Sequence, residues 1–237
     1  NCSVYWLGNL MVKRENAVMN GFTVKRLYYG EHKDWILKKH YAKRICSVSY
    51  AFGLIKDLKI IGVCTFGFPP NYNYNDGKCL FHNIKMKTLE LNRLVINNSN
   101  QKNLLSYFLS SCLKLLPSPL ALVSYADPNV NHTGYIYQAT NWFYTGTSTA
   151  KKRYHFEDGS SFDIRRGIDN KGKIISTEDL LPTHRYLYFI GNKKQKREMI
   201  NDLKMKVYTY PKGQNQKYKT TDLDMNYNQT LFEMGKL

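Results

Sequence analysis

The segment at 103–116 (NLLSYFLSSCLKLL) limits the fold most, because its apolar residues recur at helical spacing. Pro117 and Pro119 follow directly and end the predicted helix. Two short apolar segments flank it: LELNRLVIN at 89–97 alternates like a strand, and ALVSYAD at 121–127 is typical of a buried strand. A strand, a helix and a second strand in this order predict an α/β sheet with a parallel portion.

The remaining segments up to residue 148 extend the same pattern. We predict a strand at 22–29, a helix at 31–43, a hairpin of 47–55 and 59–68 around a turn at 56–58, a short helix at 134–142 and a strand at 142–148. The order β-α-β-β-β-α-β-α-β indicates a mixed central sheet flanked by helices.

The character of the chain changes after residue 150. We predict a hairpin that turns at Asp158-Gly159, a loop or short element at 171–182, a strand at 184–191, a charged helix at 193–204 and a polar surface segment over the last 18 residues. Residues 185–219 contain ten Lys or Arg against two acidic residues. We therefore expect a domain at 1–150 and a basic extension at 151–237 that packs on it.

Net charge indicates the kind of partner. The chain has 35 Lys and Arg against 18 Asp and Glu, a formal charge of +17, which is more than solubility requires. Nucleic acid is the favoured polyanion and an anionic membrane the second choice. No run of 18 apolar residues is present, which excludes a spanning helix. Because nucleic acid is favoured, no membrane partner is expected. The residues predicted to contact DNA phosphates are Lys38, Lys39, Lys43, Arg44, Lys193, Lys194, Lys196 and Arg197.

Cysteine usage bears on the compartment. The five Cys residues show no CxxC spacing, and Cys46, Cys64 and Cys112 lie in apolar runs, so we expect reduced thiols and a cytosolic protein. The first residues, NCSVYWLGNLM, do not have the basic and apolar regions of a signal peptide. An oligomer is left open.

The order of elements at 22–148 resembles the GNAT acyltransferase superfamily. GYIYQATNWFYTG at 134–146 is similar to the end of that fold, where a short helix runs into a strand. GNAT enzymes that use acyl-CoA carry a Gly-rich loop whose N–H groups bind pyrophosphate. Here the corresponding segment, INNSNQKNLLS at 96–106, contains no Gly, and Cβ atoms would crowd a phosphate. We therefore expect acetyl-CoA to bind weakly or not at all.

A set of short motifs narrows the resemblance. They occur in the order His40-Tyr41, FGFPP at 66–70, ELNRL at 90–94, SYADP at 124–128, GYIYQA-x-NW at 134–142 and HRYLY at 184–188. Together they resemble the Mom family of phage DNA modification proteins over roughly residues 22–191. The resemblance implies an enzyme in the cytoplasm of the bacterial host that converts adenine in DNA to N6-(methylcarbamoyl)adenine and so protects phage DNA from restriction.

The resemblance also implies functional residues. It marks His40, Tyr41, Asp127 and Tyr137 as catalytic, and Glu90 is added as a carboxylate on the strand before the Gly-less segment. The residues expected near the donor are Arg93, Ser124 and Tyr125. The family's link to iron makes His40, Tyr41 and Asp127 candidate ligands. From the residues alone, the His-Tyr pair also suits a solvated or phosphate-facing surface, and Asp127 also suits a turn.

The expected substrate is double-stranded DNA with a flipped adenine, since N6 is stacked within the duplex. The rings proposed to hold the base are Tyr41, Phe66, Phe68 and Tyr72. Asp127 or Glu90 would accept the N6 proton, and the donor stays unknown. Two other classes remain: a conventional acyl-CoA-dependent N-acetyltransferase, and a basic DNA-binding protein without catalysis.

Overall fold

The computed structural model describes residues 21–28, 30–162, 172–213 and 222–227. The described residues divide into two compact units, one from the ranges 1–122, 189–204 and 218–237 and the other from 123–188 and 205–217. Strands alternate with helices along the chain, which confirms the predicted α/β class. The expected boundary at residue 150 differs from these units, because strands from both sides of that residue occur in each unit.

The first unit contains an antiparallel meander followed by a helix. Its strands are β1 (Thr23–Arg26), β2 (Tyr50–Lys56), β3 (Lys59–Gly67), β4 (Thr88–Ile96) and the start of β5 (Leu120–Ala126), paired in that order. Helix α1 (Leu104–Leu115) joins β4 to β5 and buries Leu104, Phe108, Leu109 and Leu113. The predicted helix at 103–116 and the strands around it are confirmed.

The hairpin between β2 and β3 turns over two residues. Asp57 and Leu58 have φ values of +49° and +58°, the left-handed conformation that a tight hairpin turn of type I′ requires. Lys56 lies opposite Lys59 at the turn, and a one-residue register shift between Leu54 and Ile55 then places Tyr50 opposite Phe66. The predicted hairpin is confirmed, with a turn one residue shorter than expected.

The second unit contains the pairing order β5–β10–β6. Helix α2 (Tyr135–Ala139) leads into β6 (Phe143–Thr147), and β10 (His184–Ile190) pairs antiparallel with β6. A smaller sheet of β8 (Ser161–Phe162), β7 (Lys151–Phe156) and β9 (Ile174–Leu180) lies between them in sequence. The loop or short element predicted at 171–182 is a strand, β9, which pairs with β7 along most of its length and leaves all its side chains exposed except that of Leu180.

Two further predictions need correction. The expected helix at 31–43 is only a short helix that ends in a wide π-helical turn at Trp35–Lys39, where the N–H of His40 donates to the carbonyl of Trp35 over 3.0 Å. The last 18 residues were expected on the surface. Within the described part of that segment, β11 (Met225–Asn226) instead pairs with β3, and Tyr227 is buried with Trp35 in the first unit's core.

The charged helix predicted at 193–204 is confirmed as α3 (Lys193–Asn201). Asn192 caps it: its side chain accepts from the N–H of Gln195, and the Gln195 side chain accepts from the N–H of Asn192. Across the described ranges, no helix is both long and apolar enough to cross a membrane. Cys46, Cys64, Cys79 and Cys112 are free thiols, and Cys2 lies outside the described residues.

Candidate active site

The wide turn in the connection between β1 and β2 presents His40 and Tyr41. His40 has an extended backbone and is 7% exposed, and its ring lies 4.4 Å from that of Tyr41. The N–H of Ala42 donates to Nδ1 of His40 over 3.1 Å. Nδ1 is then the acceptor nitrogen of the neutral ring, which places the proton on Nε2. His40 is therefore set to donate a hydrogen bond from Nε2.

This tautomer bears on the expected iron. Coordination through Nε2 would move the ring proton to Nδ1, where it would oppose the N–H of Ala42. As placed, His40 does not fit as a metal ligand. No group of three or more His, Cys, Asp or Glu side chains is clustered within the described ranges. Iron stays a prediction, and no step below depends on it.

Residues of β4 fix the loop that follows His40. Arg93 donates from Nη1 to the carbonyl of Asn92 over 2.6 Å and from Nη2 to the carbonyl of Arg44 over 3.2 Å. Asn92 donates to the carbonyl of Ser47 over 2.7 Å. Gly67 is required here, since a Cβ at this position would overlap the Ser47 carbonyl oxygen. Arg93, expected near the donor, thus holds the 44–47 loop.

The same loop brings Cys46 to Glu90 and Arg93. Burial raises the pKa of the Cys46 thiol, the Arg93 charge opposes that rise, and Glu90 adds to it. Glu90 lies on β4 opposite Gly67 and is half-buried. The sequence reasoning placed Cys46 only in an apolar run. The structure gives it two charged neighbours with opposite effects, and burial is the main cause of the raised pKa.

The basic residues near His40 differ in exposure and in ion pairing. Lys43 and Arg44 are exposed, as phosphate contact requires, and Lys38 is an exposed partner of Asp34. The prediction for Lys39 is corrected: its side chain is 2% exposed, and its ammonium pairs with Asp222 over 3.3 Å. A buried and paired ammonium does not reach DNA.

In the second unit, Ser124 and Tyr137 form a buried hydroxyl pair. Ser124 Oγ donates to the Tyr137 hydroxyl over 2.7 Å. The Tyr137 ring lies 5.1 Å from Trp142 and 5.0 Å from Tyr186. Gly134, with φ +86°, begins α2 directly against the Tyr186 ring, where a Cβ would clash. Two predicted residues therefore meet, inside an aromatic cluster.

The aromatic cluster stays neutral. Burial raises the pKa of Tyr186 to about 12, and its hydroxyl donates to the carbonyl of Thr133 while it accepts from Gln138 over 3.2 Å. Burial also raises the pKa of Tyr188, whose ring lies 5.4 Å from Trp142. Sequence reasoning missed Tyr186 as a contact of Tyr137. Tyr125, expected near the donor, lies next to Ser124 on β5 and is half-buried.

Asp127 follows β5 directly. Its Oδ1 accepts from the N–H of Asn129 over 2.9 Å and from Asn129 Nδ2 over 2.7 Å. The Asn129 side chain also accepts from the N–H of Leu181, after β9, over 2.9 Å. Asp127 therefore is a turn residue, as the simpler interpretation held. Because Oδ1 takes both bonds, Oδ2 is the oxygen that can accept a proton.

His132 accompanies this turn and was missed. Its N–H donates to the carbonyl of Asp127 over 3.1 Å. Burial lowers the pKa of the His132 ring, and the Asp127 charge partly opposes the shift. A histidine whose pKa is lowered by burial therefore stands close to Asp127. The Asp-Pro-Asn sequence at 127–129 is the signal that could have indicated the turn.

The candidates for base stacking separate by burial. Phe66 is fully buried against Phe52, with ring centroids 6.1 Å apart, so its proposed contact with adenine is wrong. Phe68, one residue after β3 ends, is 45% exposed, and Tyr72 is 79% exposed. Tyr41 is half-buried beside His40. Of these four candidates, the two rings beyond the end of β3 are the most open to a ligand.

The chain is similar to one phage protein in sequence and to acetyltransferases in structure. The chain is 26% identical over 213 residues to the methylcarbamoylase Mom of Escherichia phage Mu, a match that covers 81% of this chain and 86% of that protein. Among solved structures, a GNAT family acetyltransferase from Elizabethkingia anophelis with acetyl-CoA bound covers 73% of this chain and all of its own, with 13% identity and a TM-score of 0.40. An N-acetyltransferase from Staphylococcus aureus Mu50 covers 71% of this chain and 98% of its own, with 15% identity and a TM-score of 0.40.

The profile of the Mom protein family matches residues 21–212. The chain belongs to the Mom protein family, as its motifs predicted.

Proposed function

We propose that the chain modifies adenine in phage DNA to N6-(methylcarbamoyl)adenine. Family membership and the methylcarbamoylase from phage Mu support the class of reaction. The observation that carries the proposal is the carboxylate of Asp127 at the end of β5, the edge at which open α/β sheets bind ligands. Its Oδ1 is held by Asn129, and its Oδ2 is left to accept the N6 proton.

The proposed reaction joins N6 to a methylene carbon. The adenine N6 lone pair attacks the CH2 carbon of an activated carboxamidomethyl donor, the N6–C bond forms, and the bond from that carbon to the leaving group breaks with its electron pair. Asp127 Oδ2 takes the proton that N6 loses. The donor is defined only by this chemistry, a CH2–CO–NH2 group that carries a leaving group.

The substrate is double-stranded DNA whose adenine is flipped out of the stack. The net charge of +17 supports a phosphate-binding protein. At the start of α3, Lys193, Lys194 and Arg197 are exposed, Lys196 is half-buried, and the first turn holds no acidic residue. Cations at a helix N-terminus oppose the helix dipole, and a bound phosphate would relieve that repulsion.

The loop after β4 supports the expected weak binding of acetyl-CoA. The N–H of Asn98 donates to the Asp222 carboxylate over 2.9 Å. Asn97 and Leu223 exchange two hydrogen bonds, of 2.8 and 3.1 Å. A carboxylate thus already takes the N–H of Asn98 in a loop that lacks Gly. Calorimetry with acetyl-CoA should show no binding at micromolar concentration; micromolar or tighter affinity would favour a conventional N-acetyltransferase.

Mass spectrometry of nucleosides tests the proposed product. DNA from bacteria that express the chain should contain deoxyadenosine with an added carboxamidomethyl group and should resist restriction enzymes whose sites include the modified adenine. Acetylated protein or amine without modified DNA would support the N-acetyltransferase. Unmodified DNA together with tight DNA binding would support the non-catalytic class.

A further inference from the structure

Five side chains at one end of the first unit's sheet alternate between rings and cations. Arg26 Cζ lies 5.4 Å from the ring centroid of Tyr28 and 5.0 Å from that of Tyr50. Lys87 Nζ lies 6.0 Å from the ring of Tyr50 and 5.7 Å from that of Phe68. The order Tyr28–Arg26–Tyr50–Lys87–Phe68 forms a continuous row, called here the aromatic–cation strip.

Strand topology explains why residues so distant in sequence meet. Strand β1 ends at Arg26, β2 begins at Tyr50, β3 ends at Gly67 and β4 begins at Thr88. The strands are antiparallel neighbours, so all four of these termini lie at one end of the sheet. Each member of the strip lies at such a terminus or within two residues of it.

The strip is positively charged, and three of its five members are exposed, whereas Arg26 and Tyr50 are half-buried. Tyr28 is 39% and Phe68 45% exposed, and Lys87 is exposed. In the parts of the chain that the structure describes, no carboxylate forms an ion pair with Arg26 or Lys87. Single exposed rings are ordinary, but consecutive rings separated by cations suit a ligand that has both flat faces and negative charge.

The same end of the sheet carries one of the predicted catalytic residues. Glu90 is the third residue of β4, whose start lies at this end. A ligand on the strip is therefore held at the end of the first unit's sheet where Glu90 lies.

We propose that the aromatic–cation strip binds an unstacked segment of the DNA strand that flanks the target adenine. Bases stack on Phe68 and Tyr28, and phosphates contact Arg26 and Lys87. A ring face can receive a base only when that base has left its own stack, so the strip prefers single-stranded or locally opened DNA to an intact duplex. The identity of the strand as DNA rests on the proposed function, whereas the preference for unstacked bases rests on the strip.

Binding measurements test the strip without any modification reaction. We would compare fluorescence anisotropy of a labelled single-stranded oligonucleotide with that of its duplex, for wild type, Phe68→Ala and Lys87→Ala. Phe68→Ala should weaken single-strand binding about ten-fold or more and duplex binding less than about two-fold, since stacking on one ring accounts for that range. Equal affinity of Phe68→Ala and wild type for the single strand would overturn the proposal.

The chain offers a matched control at the opposite end of the same sheet. Lys56 Nζ also lies over a ring, 5.1 Å from the centroid of Phe22, but this pair stands where β2 ends. Lys56→Ala removes one charge and one cation–π contact and should leave the preference for single strands unchanged. If Lys56→Ala reduced that preference as much as Lys87→Ala, overall charge would explain the binding and the strip would be rejected.

Photocrosslinking provides a readout that folding defects cannot imitate. An oligonucleotide with 5-bromouracil, irradiated on the wild-type protein, should crosslink to peptides that contain Tyr28, Tyr50 or Phe68. Crosslinks found only on α3 peptides would overturn the proposal. If strip variants lose single-strand binding, the strip is supported even when no modified adenine is found. If the wild type modifies adenine but its strip variants bind single strands normally, the strip is rejected and the proposed function is retained.

Discussion

The candidate residues of the two units are held in different ways. In the first unit the backbone holds them: the N–H of Ala42 bonds to His40, and the carbonyls of Asn92 and Arg44 take the Arg93 guanidinium. In the second unit, side chains hold them, as in the hydroxyl pair of Ser124 and Tyr137 among neutral rings. The candidate residues of the first unit are therefore polar or charged groups fixed by the main chain, whereas those of the second are neutral hydroxyls packed among rings and the carboxylate of Asp127.

The largest effect is expected at that carboxylate. Asp127→Asn keeps the size of the side chain and an oxygen for Asn129, but it cannot accept a proton at Oδ2. Loss of a general base typically costs about 10²–10⁴-fold in rate, so modified adenine should fall by that factor. The variant should melt within a few degrees of wild type and still bind DNA.

The second unit contains a matched control for this substitution. Asp158 also accepts a bond from the N–H two residues ahead, Ser160, over 2.8 Å, at the hairpin between β7 and β8. Asp158→Asn should leave modification unchanged. Near-normal modification by Asp127→Asn would return Asp127 to a turn residue, and equal losses in both variants would point to a general effect on folding.

DNA affinity should depend on the charges of the first unit. Lys194→Ala combined with Arg197→Ala removes two exposed cations of α3, and the slope of log K against log salt should become shallower by about 0.9 for each phosphate that the variant no longer neutralises. Lys152→Ala with Arg153→Ala on β7 is the control in the second unit, because these side chains pair with Asp179 at 3.5 Å and Glu178 at 3.7 Å.

Filter binding at several salt concentrations measures both double variants. The proposed α3 contact predicts a shallower slope for the α3 variant alone. An unchanged slope for that variant, or the same change in the β7 variant, would mean that DNA does not approach the first unit through α3.

Substitution of two neighbouring lysines should reduce the stability of the protein by different amounts. Lys39→Met removes a buried ammonium and takes the cation away from Asp222, whereas Lys38→Met breaks only a surface pair with Asp34. Because Asp222 is half exposed, the loss at Lys39 should be about 1–2 kcal/mol, below that of a fully buried pair, and the loss at Lys38 about 0–0.5 kcal/mol. Urea unfolding measures both, and equal losses would contradict the buried pair.

The pH dependence of stability provides an independent test of the Lys39–Asp222 contact. The N–H of Asn98 and then Lys39 lower the pKa of Asp222. A carboxyl group whose folded pKa is depressed contributes stability that is present above its unfolded pKa of about 3.9 and is lost as pH falls through the folded value. As pH falls below 5, the free energy of unfolding should therefore decrease less for Asp222→Asn than for wild type. Near pH 7, its dependence on pH should be nearly the same in the two proteins. Unfolding in urea at a series of pH values measures this, and parallel curves for the two proteins would contradict it.

The sequence predicted elements whose pattern is local. The helix at 103–116 and the hairpin at 47–68 carry their own periodicity and turn residues, and both are observed. Strand β9 was predicted only as a loop or short element, because IISTEDL exposes nearly all of its side chains and is a strand through its pairing with β7. Periodicity reports burial, so a strand with little burial gives no pattern to detect.

The contacts within the candidate site were less predictable than the helices and strands, because they too depend on tertiary packing. The motifs located Ser124 and Tyr137 thirteen residues apart, but not their hydrogen bond, and nothing near Lys39 indicated a partner 183 residues away. Phe66 and Phe68 are alike in sequence, yet the end of β3 at Gly67 places one inside and one outside. Such partners depend on tertiary packing, which local pattern does not encode.

The smallest effect tests whether the hydroxyl pair in the second unit is structural or catalytic. Tyr137→Phe leaves the Ser124 hydroxyl buried without its acceptor, and Ser124→Ala removes its donor from the Tyr137 hydroxyl, so each should cost about 1 kcal/mol. The double variant should cost less than the sum, since the two changes remove one shared bond. A structural pair predicts this coupling in urea unfolding and equal modification in all three variants. If Ser124→Ala modifies DNA normally while Tyr137→Phe does not, the Tyr137 hydroxyl acts on the substrate. The hydroxyl pair of the second unit would then contribute to the reaction as well as to packing.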